Sequence, residues 1–254
     1  LRLVYNRDSD PAFERVINVQ GSDHHGTVDR VRAGVRALGL PKGYPEYVLH
    51  QMVRVVREGR EVKFSKRIGG NTTLRELYDE VGTDVTRYFF QMRKPDAQMV
   101  FDLDAALDYS EKNPLYKIQY AHARMHSIFA KAGLIPEEVQ SGSADLSLLT
   151  EDHERRLINE LRIFPDVIVR AAENCAPHII CEYLEHTAGV ANSWYHAGNP
   201  SRNPGLAVLV ENPKIRNARL ILARSLQIVL QNGLTILGIS APRQMRQDID
   251  NTDA

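Results

Sequence analysis

Cysteine is scarce in this 254-residue chain, which carries two. Cys175 and Cys181 lie six positions apart in a helical pattern. They make no disulfide framework and read as buried free thiols, the usage of a cytoplasmic protein. Long apolar runs are also missing: none approaches the roughly 20 residues that a membrane-crossing helix needs, and no signal peptide opens the chain. Net charge is zero, because 32 Lys and Arg balance 32 Asp and Glu. That balance does not exclude a nucleic-acid partner, since a local basic stretch can hide within a neutral total. No Walker loop, G-x-G-x-x-G or Ser/His/Asp order appears, so P-loop chemistry and nucleophilic hydrolysis have no support. What remains, 43% hydrophobic and 25% charged residues, is the composition of a globular protein, long enough for one large or two medium domains. Leu1 stands where a methionine would, in sequence that already reads as globular, so a fragment is expected.

Taken in order, Val16 to Gln20 is a β-branched run ending at Gly21, and Val28, Val31, Val35 and Leu38 then recur at helical spacing. This predicts a strand, a turn and a helix with one apolar stripe. Val48 to Val56 is a second apolar run. Glu58-Gly59 forms a turn before Val62 to Phe64, a hairpin or strand and loop. Thr72-Thr73 caps a helix over Leu74–Val81, with Glu76 placed to complete a capping box. Gly82 ends it, and Asp84–Met92 forms another with Val85, Tyr88, Phe89 and Met92 buried, stopped at Arg93-Lys94-Pro95. From there strands are expected to cease. Helices are expected over Tyr116–Lys131, Asp152–Asn174 (which Pro165 must kink or divide), Pro177–His196 and Lys214–Leu237, the last ended by Gly238. Gly133 to Ser147 is a loop.

Arg54 to Arg67 holds six basic residues against two acids, Glu58 and Glu61. Within it Lys63-Phe64-Ser65-Lys66-Arg67 runs into Ile68-Gly69-Gly70. Charge alone makes this a solvated basic loop; pliant glycine beside clustered ammonium groups also suits a loop that closes over phosphates. Gly21-Ser22-Asp23-His24-His25-Gly26 falls at the carboxyl end of the first strand, where open α/β sheets bind ligands. By itself it is a polar turn. His122 and His126 lie four apart, a metal spacing, but Arg124 between them and the lack of an H-E-x-x-H acid argue against zinc. Tyr116, Tyr120, Tyr183, Trp194 and Tyr195 serve the core, or in part stack on unpaired bases.

Taken together, the Gly21–Gly26 stretch and Lys63–Arg67 resemble the C-terminal half of a class I aminoacyl-tRNA synthetase nucleotide-binding domain. The second stretch looks like that class's KMSKS signature, with Phe64 for Met and Arg67 for the final Ser. Val81-Gly82-Thr83-Asp84 with Arg87–Arg93, Phe101-Asp102-Leu103-Asp104 and Asn113–Arg124 narrow the resemblance to arginyl-tRNA synthetases. Asn232–Pro242 agrees, being similar to the last helix of that family's anticodon-binding domain. The family's HIGH motif and N-terminal tRNA-binding domain are absent, and Asn217-Ala218-Arg219-Leu220 matches Asp-Ala-Leu-Arg only loosely.

The resemblance implies an α/β plus all-α chain: half of a Rossmann-like catalytic domain over 1–104, then an α-helical anticodon-binding bundle over 105–254. It implies an arginine–tRNA ligase parent, which forms arginyl-adenylate from ATP and passes the arginyl group to tRNA(Arg). This piece alone is expected to be inactive. Lys63, Ser65 and Lys66 would serve catalysis. Gly21, Asp23, His24, His25 and Arg67 would bind ATP or substrate. Tyr116, Tyr120, Arg124, His178, Trp194 and Met245 would meet tRNA. Mg²⁺ would accompany ATP, with no metal ligands from protein, and bound tRNA would be needed for arginine activation. A monomer in the cytoplasm, away from membranes, completes the expectation. The other readings are a non-catalytic tRNA-binding protein and a cysteinyl-tRNA synthetase, which shares the related C-terminal domain.

Overall fold

The computed structural model describes residues 15–62, 73–139, 142 and 144–245. Lys63, Ser65, Lys66 and Arg67, and Thr72 of the helix cap, lie outside the described residues. Contacts divide the chain into two compact units, Leu1–Arg54 with Lys94–Val100 and Val55–Arg93 with Phe101–Ala254. These units are drawn by contacts and cut across the 1–104 and 105–254 division expected from sequence.

In the first unit β1 (Ile17–Gly21) pairs parallel with β2 (Glu46–His50), in a register that sets Gly21 against His50. Parallel strands need a crossover, and α1 (His25–Ala37) supplies it. The helix begins three residues before the Val28 predicted from sequence and buries Val28 and Val35. The Gln51 amide donates to the Pro95 carbonyl at 2.9 Å, tying the returning segment to the unit.

The second unit is mostly helical. It opens at Val55, within β3 (Val53–Arg57), whose end meets the two-residue β4 (Arg60–Glu61) in a hairpin with Arg57 opposite Arg60. Glu58 (φ 49°) and Gly59 (φ 71°) are both left-handed, the backbone that a two-residue turn between right-twisted strands requires. The Glu58 amide donates to Asp104 at 2.6 Å, which fixes the turn. Strands do not cease after Arg93: β5 (Met99–Asp102) joins a sheet in the order β4-β3-β5, and its Phe101 is fully buried. A four-residue strand is held by its neighbours rather than by its own propensity, which is why pattern alone passed over it.

Helix starts follow their local chemistry. Thr73 and Glu76 form the expected capping box on α2 (Leu74–Val81), and α3 (Thr83–Gln91) buries Tyr88 and Phe89. Asp102 accepts from the amides of Asp104 and Ala105 to start the short α4 (Leu103–Ala106). Asn113 caps α5 (Pro114–Lys131), with proline in the first turn where its missing N–H costs nothing. Pro165 divides the expected long helix into α6 (Asp152–Arg162) and α7 (Phe164–Glu173), standing in the first turn of the second. Last come α8 (His178–Ala197) and α9 (Pro213–Ile236). Leu115, Ile118, Met125 and Phe129 of α5, Leu184 and Ala188 of α8, and Leu226, Leu230 and Leu234 of α9 form the core. Gly233 lets α9 approach α8, since a Cβ there would lie 2.6 Å from Leu184 Cδ2. No helix among the described residues is long and apolar enough to cross a membrane.

Candidate functional site

The carboxyl edge of the parallel pair gathers the first set of expected residues. Gly21 closes β1, and its lack of a side chain is used: a Cβ would stand 2.4 Å from Asp23 Oδ1. The Asp23 carboxylate thus folds back over the strand end, with Oδ2 3.6 Å from His24 Nε2. Both side chains are exposed. Ser22 Oγ donates to Gln51 Oε1 at 3.3 Å. His25 turns elsewhere: with Val28, Asp29, Arg32, Tyr47 and Leu49 it lines a cavity of about 210 Å³. The Arg32 guanidinium lies over the Tyr47 ring at 5.3 Å and Nε donates to the Pro45 carbonyl at 3.4 Å. Asp23 and His24 therefore form one pair and His25 belongs to a neighbouring cavity, a separation that adjacency in sequence hid. Arg32 and Tyr47 were not singled out from sequence. Their signal is that each stands on the element next to the Gly21 turn, one on α1 and one on β2.

A second constellation lies in the helical unit. Tyr116 and Tyr120, one turn apart on α5, stack with ring centroids 5.9 Å apart and planes within 10°. Arg124, one turn further, sets its guanidinium carbon 4.5 Å from the Tyr120 centroid and 4.3 Å from that of Tyr195 on α8. Its Nη1 donates to Asn192 Oδ1 at 2.7 Å, and Asn192 Nδ2 donates to Glu111 Oε1 at 3.1 Å. Because both ends of that amide are engaged, Asn192 has one orientation and holds the guanidinium plane against the rings. All four residues of the stack are half-buried, so the array is held in place yet reached by solvent. Burial, followed by the neighbouring Tyr120 and Glu111, raises the Tyr116 hydroxyl above its ordinary range and keeps it neutral. An array of flat faces beside a delocalised cation can stack on unpaired bases, through π contact and cation–π attraction. Asn192 and Glu111 escaped the sequence reading, and Tyr195 was grouped there with the other aromatics without being tied to Arg124. The Asn192 to Tyr195 spacing of three, one helical face, was the available signal for two of them.

The other expected residues go elsewhere. Trp194 and His178 are buried, so Trp194 offers no ring face to a base. Met245 is half-buried at the end of the described chain. His122 and His126 meet edge to face at 5.0 Å. His122 Nδ1 stands 2.9 Å from the Pro242 carbonyl, which can only accept, so Nδ1 carries the proton. Arg224 Nη1 donates to Gln227 Oε1 at 2.6 Å, leaving Gln227 Nε2 to donate to His126 Nε2 at 2.5 Å. Accepting at Nε2 favours the neutral form of His126; for His122 the bond to Pro242 acts the other way, and burial, the largest cause for both rings, lowers each below its ordinary value. Cys181 is buried and its thiol is pushed up to about 12 by burial, which makes it inert. Among the described residues no three His, Cys, Asp or Glu side chains gather to hold a metal ion.

Residues 118–245 match the family described as the DALR anticodon binding domain. The chain is 48% identical over 235 residues to the arginine–tRNA ligase of Bordetella petrii, covering 92% of this chain and 40% of the relative. It is 50% identical over 236 residues to that of Geobacter metallireducens, covering 92% and 41%. It therefore spans about two fifths of the length of these curated relatives. The arginyl-tRNA synthetase structure of Thermus thermophilus superposes with a TM-score of 0.73 at 28% identity, covering 91% of this chain and 41% of that one.

Proposed function

The chain belongs to the DALR anticodon-binding domain family, and from that premise we propose that it is the C-terminal part of an arginine–tRNA ligase. The observation that carries the RNA half of this reading is Arg124 laid over Tyr120 and Tyr195 within the matched stretch. Single-stranded loops are read by faces of this kind, where each stacked base contributes about 1–3 kcal/mol. Tyr116, Tyr120, Arg124 and Tyr195 would receive unpaired bases of tRNA(Arg), with Asn192 and Glu111 setting the orientation. Binding of an unmodified arginine-tRNA transcript by the 254-residue chain tests this. Tyr120→Leu is expected to weaken it by tenfold or more while the helical signal is kept; unchanged affinity would sink the reading.

The catalytic half rests on sequence kinship and on the sheet edge. Arginine and ATP would be the small substrates, joined as arginyl-adenylate before transfer to tRNA. Gly21, Asp23, His24 and His25 would meet ATP or arginine at the carboxyl edge of β1 and β2, as ligands do in open α/β sheets. The cavity lined by His25, Arg32 and Tyr47 lies in the same unit. Lys63, Ser65 and Lys66, with Arg67, would face the phosphates as they separate, since in-line displacement at phosphorus needs positioned cations rather than a covalent nucleophile. Mg²⁺ would arrive on the phosphates of ATP. The 1–104 and 105–254 division would separate these halves. Arginine-dependent pyrophosphate exchange by this chain, with tRNA present, separates ligase chemistry in these residues from RNA binding alone.

A further inference from the structure

After α9 the backbone runs back over two other helices and is fastened there at four points. Gln91 Nε2 donates to the Leu237 carbonyl at 3.0 Å. The Ser240 amide donates to Asp84 Oδ2 at 3.2 Å, and the Ser240 hydroxyl donates to the same oxygen. Gln119 Nε2 donates to the Ser240 carbonyl at 3.0 Å and reaches the same Asp84 oxygen at 3.4 Å. His122 Nδ1 donates to the Pro242 carbonyl at 2.9 Å. Asp84 and Gln91 are seven residues apart, about two turns along α3, and Gln119 and His122 share one face of α5. Residues 237–242 are therefore a strap laid along α3 and across α5. Gly238 starts it with φ 70°, where a Cβ would stand 3.0 Å from Arg87 Nη1. Ile239 is its buried peg.

Nearly all of these bonds go to the strap's backbone, so fastening it uses few of its own side chains. Next in line is Arg243, whose side chain is 77% exposed and lies 3.7 Å from Glu137. Arg243 and Arg224 both bear on His126 and on Glu137, which marks two cations at this corner. An exposed guanidinium at the end of a fixed strap is suited to a phosphodiester oxygen, whose neutralisation releases condensed counterions.

We propose that Asp84 is a positioning residue for RNA binding: it fastens the strap so that Arg243 is presented to a backbone phosphate of the bound RNA. The inference rests on the tRNA-binding reading above and adds a contact on a different face of α5 from the Tyr116, Tyr120 and Arg124 stack. Asp84 touches no RNA itself. It acts by collecting three donors on one oxygen, two of them from Ser240.

The test is the salt dependence of binding between the 254-residue chain and an unmodified arginine-tRNA transcript. Arg243→Gln is expected to weaken binding several-fold and to make the slope of log K against log salt shallower by about one, the signature of one lost phosphate contact. Asp84→Asn and Ser240→Ala are expected to do the same, and neither is expected to add to Arg243→Gln. Hydrogen exchange at the Ser240 amide should quicken in Asp84→Asn. Ser240→Ala, a change at an exposed position, keeps the proposal testable if the Asp84 variant folds poorly. Wild-type slope and affinity in variants whose strap exchanges faster would overturn the inference alone, as would additive losses. A wild-type chain that binds no transcript would overturn this inference together with the reading beneath it.

Discussion

Arg219 shows how one side chain can hold three parts of the helical unit. Its guanidinium is almost fully buried, with Nε 2.6 Å from Glu154 Oε1 on α6 and Nη1 donating to the carbonyls of Gly205 at 2.7 Å and Ala207 at 2.9 Å. Glu154 Oε2 in turn accepts from the Glu151 amide at 3.0 Å. A buried pair satisfied on this many sides is costly to break from one end, because the other charge is stranded. Arg219→Ala is therefore expected to cost about 3–5 kcal/mol, read by urea unfolding of the chain. The double replacement Arg219→Leu with Glu154→Leu should cost well under the sum of the single ones; simple additivity would refute the coupling. Gly238 makes a backbone case of the same kind. At φ 70°, with Arg87 Nη1 close by, Gly238→Ala is expected to cost about 1 kcal/mol or more, seen as a lower urea midpoint at unchanged m-value.

At the scale of elements, the capping box on α2 makes a sharp local prediction. Thr73 Oγ1 accepts from the Glu76 amide and the Glu76 carboxylate accepts from the Thr73 amide at 2.7 Å. Thr73→Ala is expected to cost about 1 kcal/mol and to speed amide exchange in the first turn of α2 without touching α5 or α9. Signals of this local kind are what made the helices legible: a cap residue, a proline in the first turn, a glycine just past the end. β5 was not legible because its partner β3 lies some forty positions earlier and no local pattern encodes that pairing. The same distinction governs the stacked residues of α5 and α8. Tyr116, Tyr120 and Arg124 could be grouped from sequence because they follow one another by single turns of one helix. Asn192 and Tyr195, on a different helix, could not be joined to them until the two helices packed. Trp194 and Tyr195 are neighbours in sequence but about 100° apart around α8. The first is in the core and the second lies over Arg124. Aromatic content alone cannot tell those two apart. The basic loop at Lys63 to Arg67, the clearest sequence signal for phosphate chemistry, lies outside the described residues.

For the helical unit as a whole, buried ionisable groups set opposite limits on the pH range in which it is stable. His122 and His126 are held neutral and lowered below their ordinary value, chiefly by burial. Their contribution is complete above the unfolded histidine value of about 6.5 and is lost as pH falls from there towards the depressed folded values, because the unfolded chain then binds more protons. Cys181 and Tyr183 are each pushed up to about 12 by burial, and Tyr88 is raised further by the same cause. Their sign is the reverse. Neutral in the fold and ionised more readily once unfolded, they stabilise fully below the unfolded thiol and phenol values of about 9 and 10 and progressively less as pH climbs towards 12. The thermal midpoint of this unit should therefore form a plateau between about pH 7 and pH 8.5, with an acid limb owed to the histidines and an alkaline limb owed to the thiol and phenols. Each limb has its own assignment. His126→Gln, which can no longer be protonated against the Gln227 amide, should make the acid limb shallower, with His122 carrying what remains, and leave the alkaline one alone. Cys181→Ala should make the alkaline limb shallower, with Tyr183 and Tyr88 carrying what remains, and leave the acid one alone. A His126→Gln chain whose midpoint still drops as steeply between pH 6.5 and pH 5 as the unmodified chain would show that the Arg224, Gln227 and His126 chain does not carry the acid sensitivity.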